Sequence, residues 1–225
     1  MEILCLKRFE NISEFNNFTN QLVQIQWKIE KQLLKERALK YSNLSIFKEL
    51  KNEYIKKKIS IFQLKDEEVV TWLDTMLIMK RVFSNMYELG TLRPNLTLLM
   101  EYPFLFGNYM RTDYLLIYKD LIVSIELGMF NQDEKRKEER YTKKVQETIG
   151  HKHVLTQMLS DNVSINSYVL IYKPEFDRNH STSIEENIEY NNLEIRKLSQ
   201  FLDLQLRVQD QKMAIQQLLA LESHR

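Results

Sequence analysis

Apolar positions in the first 90 residues recur at helical spacing. No glycine occurs before Gly90 and no proline before Pro94. Leu22, Ile25, Ile29, Leu33 and Leu34 keep to one face of a helix. Lys65-Asp-Glu-Glu68 predicts a helix start, because acids are favoured in a first turn. Val69, Leu73, Met76, Leu77 and Val82 continue that helix, and Leu89-Gly90 ends it. The pattern then changes. Leu96 to Met100 predicts a short strand, and 102–107 a loop with apolar anchors. Tyr114 to Tyr118 and Leu121 to Ile125, on either side of Lys119-Asp120, predict a β-hairpin. Asn131 and Glu134 have capping-box spacing and open a helix to about Leu159. Ser167 to Tyr172 predicts a buried strand ended by Pro174, and 174–183 a polar loop. From Ile184 onward, Ile188, Ile195 and Leu202 lie seven apart and favour helix. The alternation of Leu202, Leu204, Leu206 and Val208 also fits a strand.

This order predicts a mixed α/β (α+β) protein, with a small mixed sheet of about four strands flanked by helices. Residues 1–180 are expected to form one domain, a helical lobe over 1–95 and a sheet core over 96–180. Residues 181–225 are expected to be a C-terminal helical extension or a linker. The 225 residues carry 32 basic and 31 acidic side chains, a net charge of +1. That balance argues against tight, sequence-independent duplex binding. It does not argue against a nuclease whose metals supply local positive charge. Cys5 is the only cysteine, which excludes a disulfide framework and a cysteine zinc site and fits a reducing compartment. No apolar run long enough for a leader or a membrane span occurs, so the expected location is cytoplasmic, with no membrane partner.

The hairpin carries the chemistry. Asp113 opens its first strand and Glu126 closes its second, so folding sets the two carboxylates side by side. Such a pair at one end of an apolar hairpin repels itself and is costly to desolvate. A divalent metal removes that cost, and this pair is the minimum equipment of a metal-dependent phosphodiesterase.

A positive charge for the transition state is the next requirement. Nucleases of this arrangement usually carry a lysine two residues after the second acid, but Gly128 stands there. The helix that follows offers Lys135, Lys137, Lys143 and Lys144. With Tyr141, Val145, Thr148, Ile149 and Leu155 as its buried face, Lys144 borders the core, whereas Lys143 points to water. Lys144 is therefore the expected catalytic lysine. Hard cations take several oxygens, so a further acid from the helical lobe is expected, with Glu88 preferred over Asp74 and Glu101. His151 and His153 point in nearly opposite directions from one helix and are expected to be surface or capping residues. The phosphate-loop, Gly-x-Ser-x-Gly, Rossmann and zinc-finger patterns are absent.

At these residues the chain resembles the PD-(D/E)xK nucleases. More narrowly, it resembles the cap-snatching endonuclease domain of segmented negative-strand RNA virus polymerases, bunyavirus-like L proteins in particular. A helical lobe of about 110 residues precedes Asp113, and Thr112-Asp113 stands where that family has Pro-Asp. Glu126 follows a short hairpin, and the lysine is displaced into the next helix. The proline before Asp113 and the upstream metal-binding histidine of many members are missing. The resemblance spans roughly residues 66–175. It implies two Mn²⁺ or Mg²⁺ ions, with Asp113 bridging both, Glu126 holding one and Lys144 aiding water attack. It also implies single-stranded RNA, capped mRNA included, as substrate, the remainder of a polymerase as partner, and the host cytoplasm as location. Two other readings stay open: a bacterial or phage DNA nuclease of the same superfamily, and a degenerate nuclease fold kept as a binding module.

Overall fold

The computed structural model describes residues 2–104, 110–130, 134–178 and 183–223. Among these, five strands form one sheet in the order β1-β2-β3-β4-β5. The strands are β1 (Lys7–Phe9), β2 (Thr97–Pro103), β3 (Arg111–Tyr118), β4 (Leu121–Met129) and β5 (Ser164–Tyr172). The helices are α1 (Ile12–Gln24), α2 (Leu34–Tyr41), α3 (Ser45–Lys57), α4 (Asp66–Glu88), α5 (Glu134–Met158) and α6 (Ser183–Glu222). The protein is thus a mixed α/β fold, with one strand more than the hydrophobic pattern predicted.

The hairpin forms as expected, with Tyr114 opposite Ile125 and Tyr118 opposite Leu121. Lys119 in its turn takes φ +52°. β4 and β5 run parallel, joined by α5 as the crossover. Two layers cover the sheet. On one face, α4 buries Leu73, Met76 and Val82 in the same core as Tyr114, Leu116, Val123 and Ile125. On the other, Leu155 of α5 packs with Leu99, Leu115 and Ile165. α1, α2, α3 and α6 all pack on α4. Asp66 begins α4, and the Glu68 carboxylate accepts from the Lys65 backbone N–H at 3.5 Å. Among the described residues, no helix is long and apolar enough to cross a membrane.

Two local expectations are corrected, and the C-terminal helix is borne out. The N-terminal lobe is not wholly helical, since Lys7–Phe9 adds an edge strand to β2. A three-residue strand has too few positions to show period-two alternation. The helical spacing from Leu22 to Leu34 is also broken. α1 ends at Gln24, Gln26 takes φ +52°, and Ile29 is buried in a segment outside any helix. The Ile29 carbonyl accepts from Glu175 at 2.8 Å and from Phe176 at 3.1 Å, so distant chain outweighs local periodicity. Finally, 183–222 is one helix, in which Leu202 and Leu206 are buried while Leu204 and Val208 are exposed. Its first half packs back on the domain through Ile195, Leu198, Leu202 and Leu206, and is no free linker. Tyr102 and Pro103, expected in a loop, belong to β2, while the Asn131 cap and residues 105–107 fall outside the described residues.

Candidate active site

Pairing of β3 with β4 brings the two acids together through reciprocal contacts. The Asp113 backbone N–H donates to Glu126 Oε1 at 3.3 Å, and the Leu127 N–H donates to Asp113 Oδ2 at 2.8 Å. The adjoining β2–β3 ladder skips the Glu101–Asp113 step, where Glu101 takes φ +52°. Backbone held in that left-handed region costs free energy, and such positions gather at functional sites.

α5 crosses this end of the sheet and supplies the positive charge. Lys144 Nζ donates to Glu126 Oε2 at 2.9 Å and lies 3.5 Å from Asp113 Oδ2 and 3.4 Å from Glu147 Oε2. The apolar pattern is right for Thr148 and Leu155, which are buried, but not for Tyr141 and Ile149. Tyr141 is 49% and Ile149 62% exposed. Lys144, Thr148, His151 and Leu155 form the inward stripe, at spacings of four, three and four. Lys143 is exposed.

His151 corrects the expectation of a surface residue. It is 2% exposed, its ring stacks on Phe104 with centroids 4.8 Å apart, and Nδ1 lies 3.1 Å from Glu126 Oε1. The approach is close but poorly aligned for a hydrogen bond, leaving Nδ1 without one. Only the polar residues of the inward stripe, read together with the apolar ones, could have signalled this. His153 is exposed beside Gln157, as its opposite direction requires, and His180 and His224 lie outside the described residues.

Of the three further acids expected, only Glu101 reaches the cleft. Glu88 is exposed at the end of α4, about 20 Å along the helix from Thr75 at the cleft, and does not join the site. Asp74 is buried in an ion pair with Arg37, with Nη1–Oδ2 2.7 Å, and is not available to a metal. The acids that do line the cleft with Asp113 and Glu126 are Glu68, Glu101 and Glu147. Arg111 holds two of these, donating to Glu68 Oε2 at 2.8 Å and lying 3.4 Å from Glu101 Oε2.

Five carboxylates therefore share a cleft of about 350 Å³ with two cations, Arg111 and Lys144. Three of the five titrate away from their ordinary values. Burial, with the nearby charges of Asp113 and Glu126 added, pushes Glu101 up to about 8 against the pull of Arg111. Burial and the neighbouring Glu126 charge push Asp113 up to about 7. Glu126 goes the other way, to about 2, because close approach of His151 and Lys144 overcomes its burial. The same carboxylates raise Lys144 above its ordinary value despite its burial.

Among the described residues, no three His, Cys, Asp or Glu side chains are gathered tightly enough to hold a metal as they stand. The donor set nevertheless fits a hard divalent cation. Its ligands would be oxygens, and Asp113 and Glu101 are acids whose charge the protein leaves under-compensated. Asp113 and Glu126 would hold the ion, with Glu101 on the same cleft wall as the third acid.

The titration shifts set a pH dependence in metal-free buffer. Between about pH 4 and 7 the unfolded chain has released the Asp113 proton while the folded protein keeps it, so stability falls as pH rises through that window. Glu101 extends the fall to about pH 8. Glu126 contributes stability that is present above its ordinary value near 4.5 and is lost as pH falls through about 2. Asp113→Asn should therefore be stabilising in EDTA by about 1–3 kcal/mol near pH 8 and close to neutral near pH 4. Urea unfolding at the two pH values checks this, and an equal effect at both would refute the shift.

Gly128 follows Glu126 by two positions on β4. A Cβ there would lie 2.9 Å from Ile171 Cδ1 and 3.0 Å from Arg140 Nε. A side chain at 128 would have to displace these side-chain ends of β5 and α5, whereas Lys144 reaches the acids directly. Gly128→Lys should cost about 1–3 kcal/mol through overpacking, read as a lower urea midpoint.

No protein-family profile matches the chain. No curated protein matches it either.

Proposed function

We propose that the protein is a divalent-metal-dependent endonuclease that hydrolyses RNA phosphodiester bonds. The observation that carries this reading is the convergence of Asp113, Glu126 and Lys144 in one cleft where acids outnumber cations. Bound Mn²⁺ or Mg²⁺ would activate water and offset phosphate charge. Asp113 and Glu126 would hold the ion, and the backbone N–H of Leu127 orients the Asp113 carboxylate for it. Lys144 stays protonated at neutral pH, which suits it to stabilise the charged transition state and makes it a poor general base. Glu101, beside Arg111 in the same cleft, would be the third acid available to the ion. The resemblance favours RNA over DNA and two ions over one. It further suggests primer cutting from capped mRNA by a polymerase to which this domain belongs, in the host cytoplasm.

One observation favours a second reading. Lys144 Nζ already bridges the two carboxylates and so occupies part of a metal's electrostatic role. A degenerate fold that binds a partner without cutting would keep such a bridge. A thermal melt with and without millimolar Mn²⁺, followed by cleavage assays on labelled single-stranded RNA, single-stranded DNA and duplex DNA, separates the readings. The nuclease reading expects a Mn²⁺-dependent rise in Tm and cleavage of the RNA. No rise and no cleavage of any substrate would overturn it in favour of the degenerate fold. Cleavage of DNA alone would select the DNA nuclease.

A further inference from the structure

A second, larger hollow lies next to the acidic cleft. Its volume is about 820 Å³, and its walls come from α2, α3, the 58–65 segment and the first turn of α4. Two connections make the hollows neighbours. Tyr54 lines the larger one, and its hydroxyl accepts a hydrogen bond at 2.7 Å from Arg111, which lines the acidic cleft. Asp66 and Glu67 line the larger one, and Glu68, the next residue of α4, lines the cleft.

The charge of this hollow is opposite to that of the cleft. Lys35, Lys51, Lys58 and Lys65 face two acids, Asp66 and Glu67. Lys51 is engaged with Asp66 at 2.7 Å. Among the described residues, Lys35, Lys58 and Lys65 make no ion pair, and all three are exposed. The wall between them is apolar and open to water, with Leu39 74%, Ile55 57% and Phe62 66% exposed. Unneutralised lysines interleaved with exposed apolar surface match a chain of phosphates whose bases turn toward the protein. A duplex would satisfy the lysines but not the apolar wall, because its bases are stacked away inside.

We propose that this hollow docks single-stranded nucleic acid, its phosphates on Lys35, Lys58 and Lys65 and an unstacked base against Leu39, Ile55 and Phe62. The strand then passes Tyr54 and Arg111, which places the adjoining phosphodiester in the acidic cleft. This assignment rests on the reading of that cleft as a phosphodiesterase site.

The test is fluorescence anisotropy of labelled 12-nucleotide RNA and DNA, single-stranded and duplex, with the full chain in EDTA, so that no cleavage intervenes. The variant is Lys35→Glu/Lys58→Glu/Lys65→Glu. The control is Arg196→Glu/Lys197→Glu/Arg207→Glu, which changes net charge equally on exposed positions of α6. The groove variant should bind single strands at least about 10-fold more weakly than wild type, and its log–log salt slope should be shallower by about 2, as expected from three lost phosphate contacts. The control should bind within about 2-fold of wild type, and both should keep the wild-type melting temperature. Equal loss in groove variant and control would overturn the assignment by showing a diffuse charge effect. So would duplex bound as tightly as single strand, or no single-strand binding by wild type. The Mn²⁺ melt of the groove variant distinguishes the two readings. If affinity is unchanged while the Mn²⁺ shift persists, the groove falls and the metal site stands. If affinity drops as expected but neither protein responds to Mn²⁺, the groove stands and the nuclease reading falls.

Discussion

Asp113→Ala should lower Mn²⁺-dependent RNA cleavage by about 10³-fold or more, and the same change should make the metal-free protein more stable near pH 8. The opposite signs come from one cause. Asp113 sits beside Glu126 with its backbone N–H on Glu126 Oε1, and burial with that neighbouring charge holds its pKa near 7. At pH 8 the folded protein must carry both charges with only Lys144 Nζ between them. Removing one relieves the repulsion but leaves a divalent ion with a single well-placed carboxylate. The Tm rise with Mn²⁺ should accordingly vanish, since a ligand stabilises only what it binds. The Leu127 N–H loses its acceptor in the variant, and the cleft is open enough for water to replace it. A variant that still cleaves, or one that is less stable than wild type in EDTA at pH 8, would sink this account.

Arg37→Ala should cost about 3–5 kcal/mol, a large share of the 5–15 kcal/mol that holds a typical domain together. Arg37 and Asp74 are fully buried and paired through two contacts, Nη1–Oδ2 at 2.7 Å and Nη2–Oδ1 at 2.8 Å. The Trp27 indole N–H donates to Asp74 Oδ1 at 2.9 Å, and Arg37 Nη2 also donates to the Lys28 carbonyl at 3.0 Å. The pair ties α2 and the segment after α1 to the middle of α4. Truncating Arg37 strands a buried carboxylate whose pKa burial already raises. The double variant Arg37→Met/Asp74→Leu removes both charges and should recover most of the loss, because a packed apolar pair avoids desolvation altogether. Urea unfolding of the two variants decides it. A single variant within about 1 kcal/mol of wild type, or a double variant no better than the single, would contradict this role.

What the sequence determined alone is the part built by short-range chain. The hairpin of β3 and β4 is legible because strand-forming runs flank a two-residue turn, and its closure forces Asp113 beside Glu126 whatever surrounds them. α4 and α5 are legible through their period, and Lys144 follows from α5 being the crossover onto that sheet. The apolar face predicted for α5 is nonetheless only partly right. Tyr141 and Ile149 face water, and the inward stripe is mostly polar, because its neighbour is a charged cleft and not a core.

Only the tertiary structure decided the rest. Glu88 and Glu68 are both acids at an end of α4, and the docking of the helix, not its sequence, puts Glu68 at the site and Glu88 in solvent. Asp74 lies between them in the chain and pairs with Arg37 from α2. His151 reads as a surface residue until Phe104 and Glu126 close over it. Three-residue β1 exists because β2 offers an edge, and Ile29 leaves the helical pattern where Glu175 and Phe176 donate to its carbonyl. Each of these outcomes is a contact between residues far apart in the chain. Local periodicity carries the burial preference of one residue against its near neighbours. It holds no record of which distant carboxylate, guanidinium or strand edge will meet it when the chain closes.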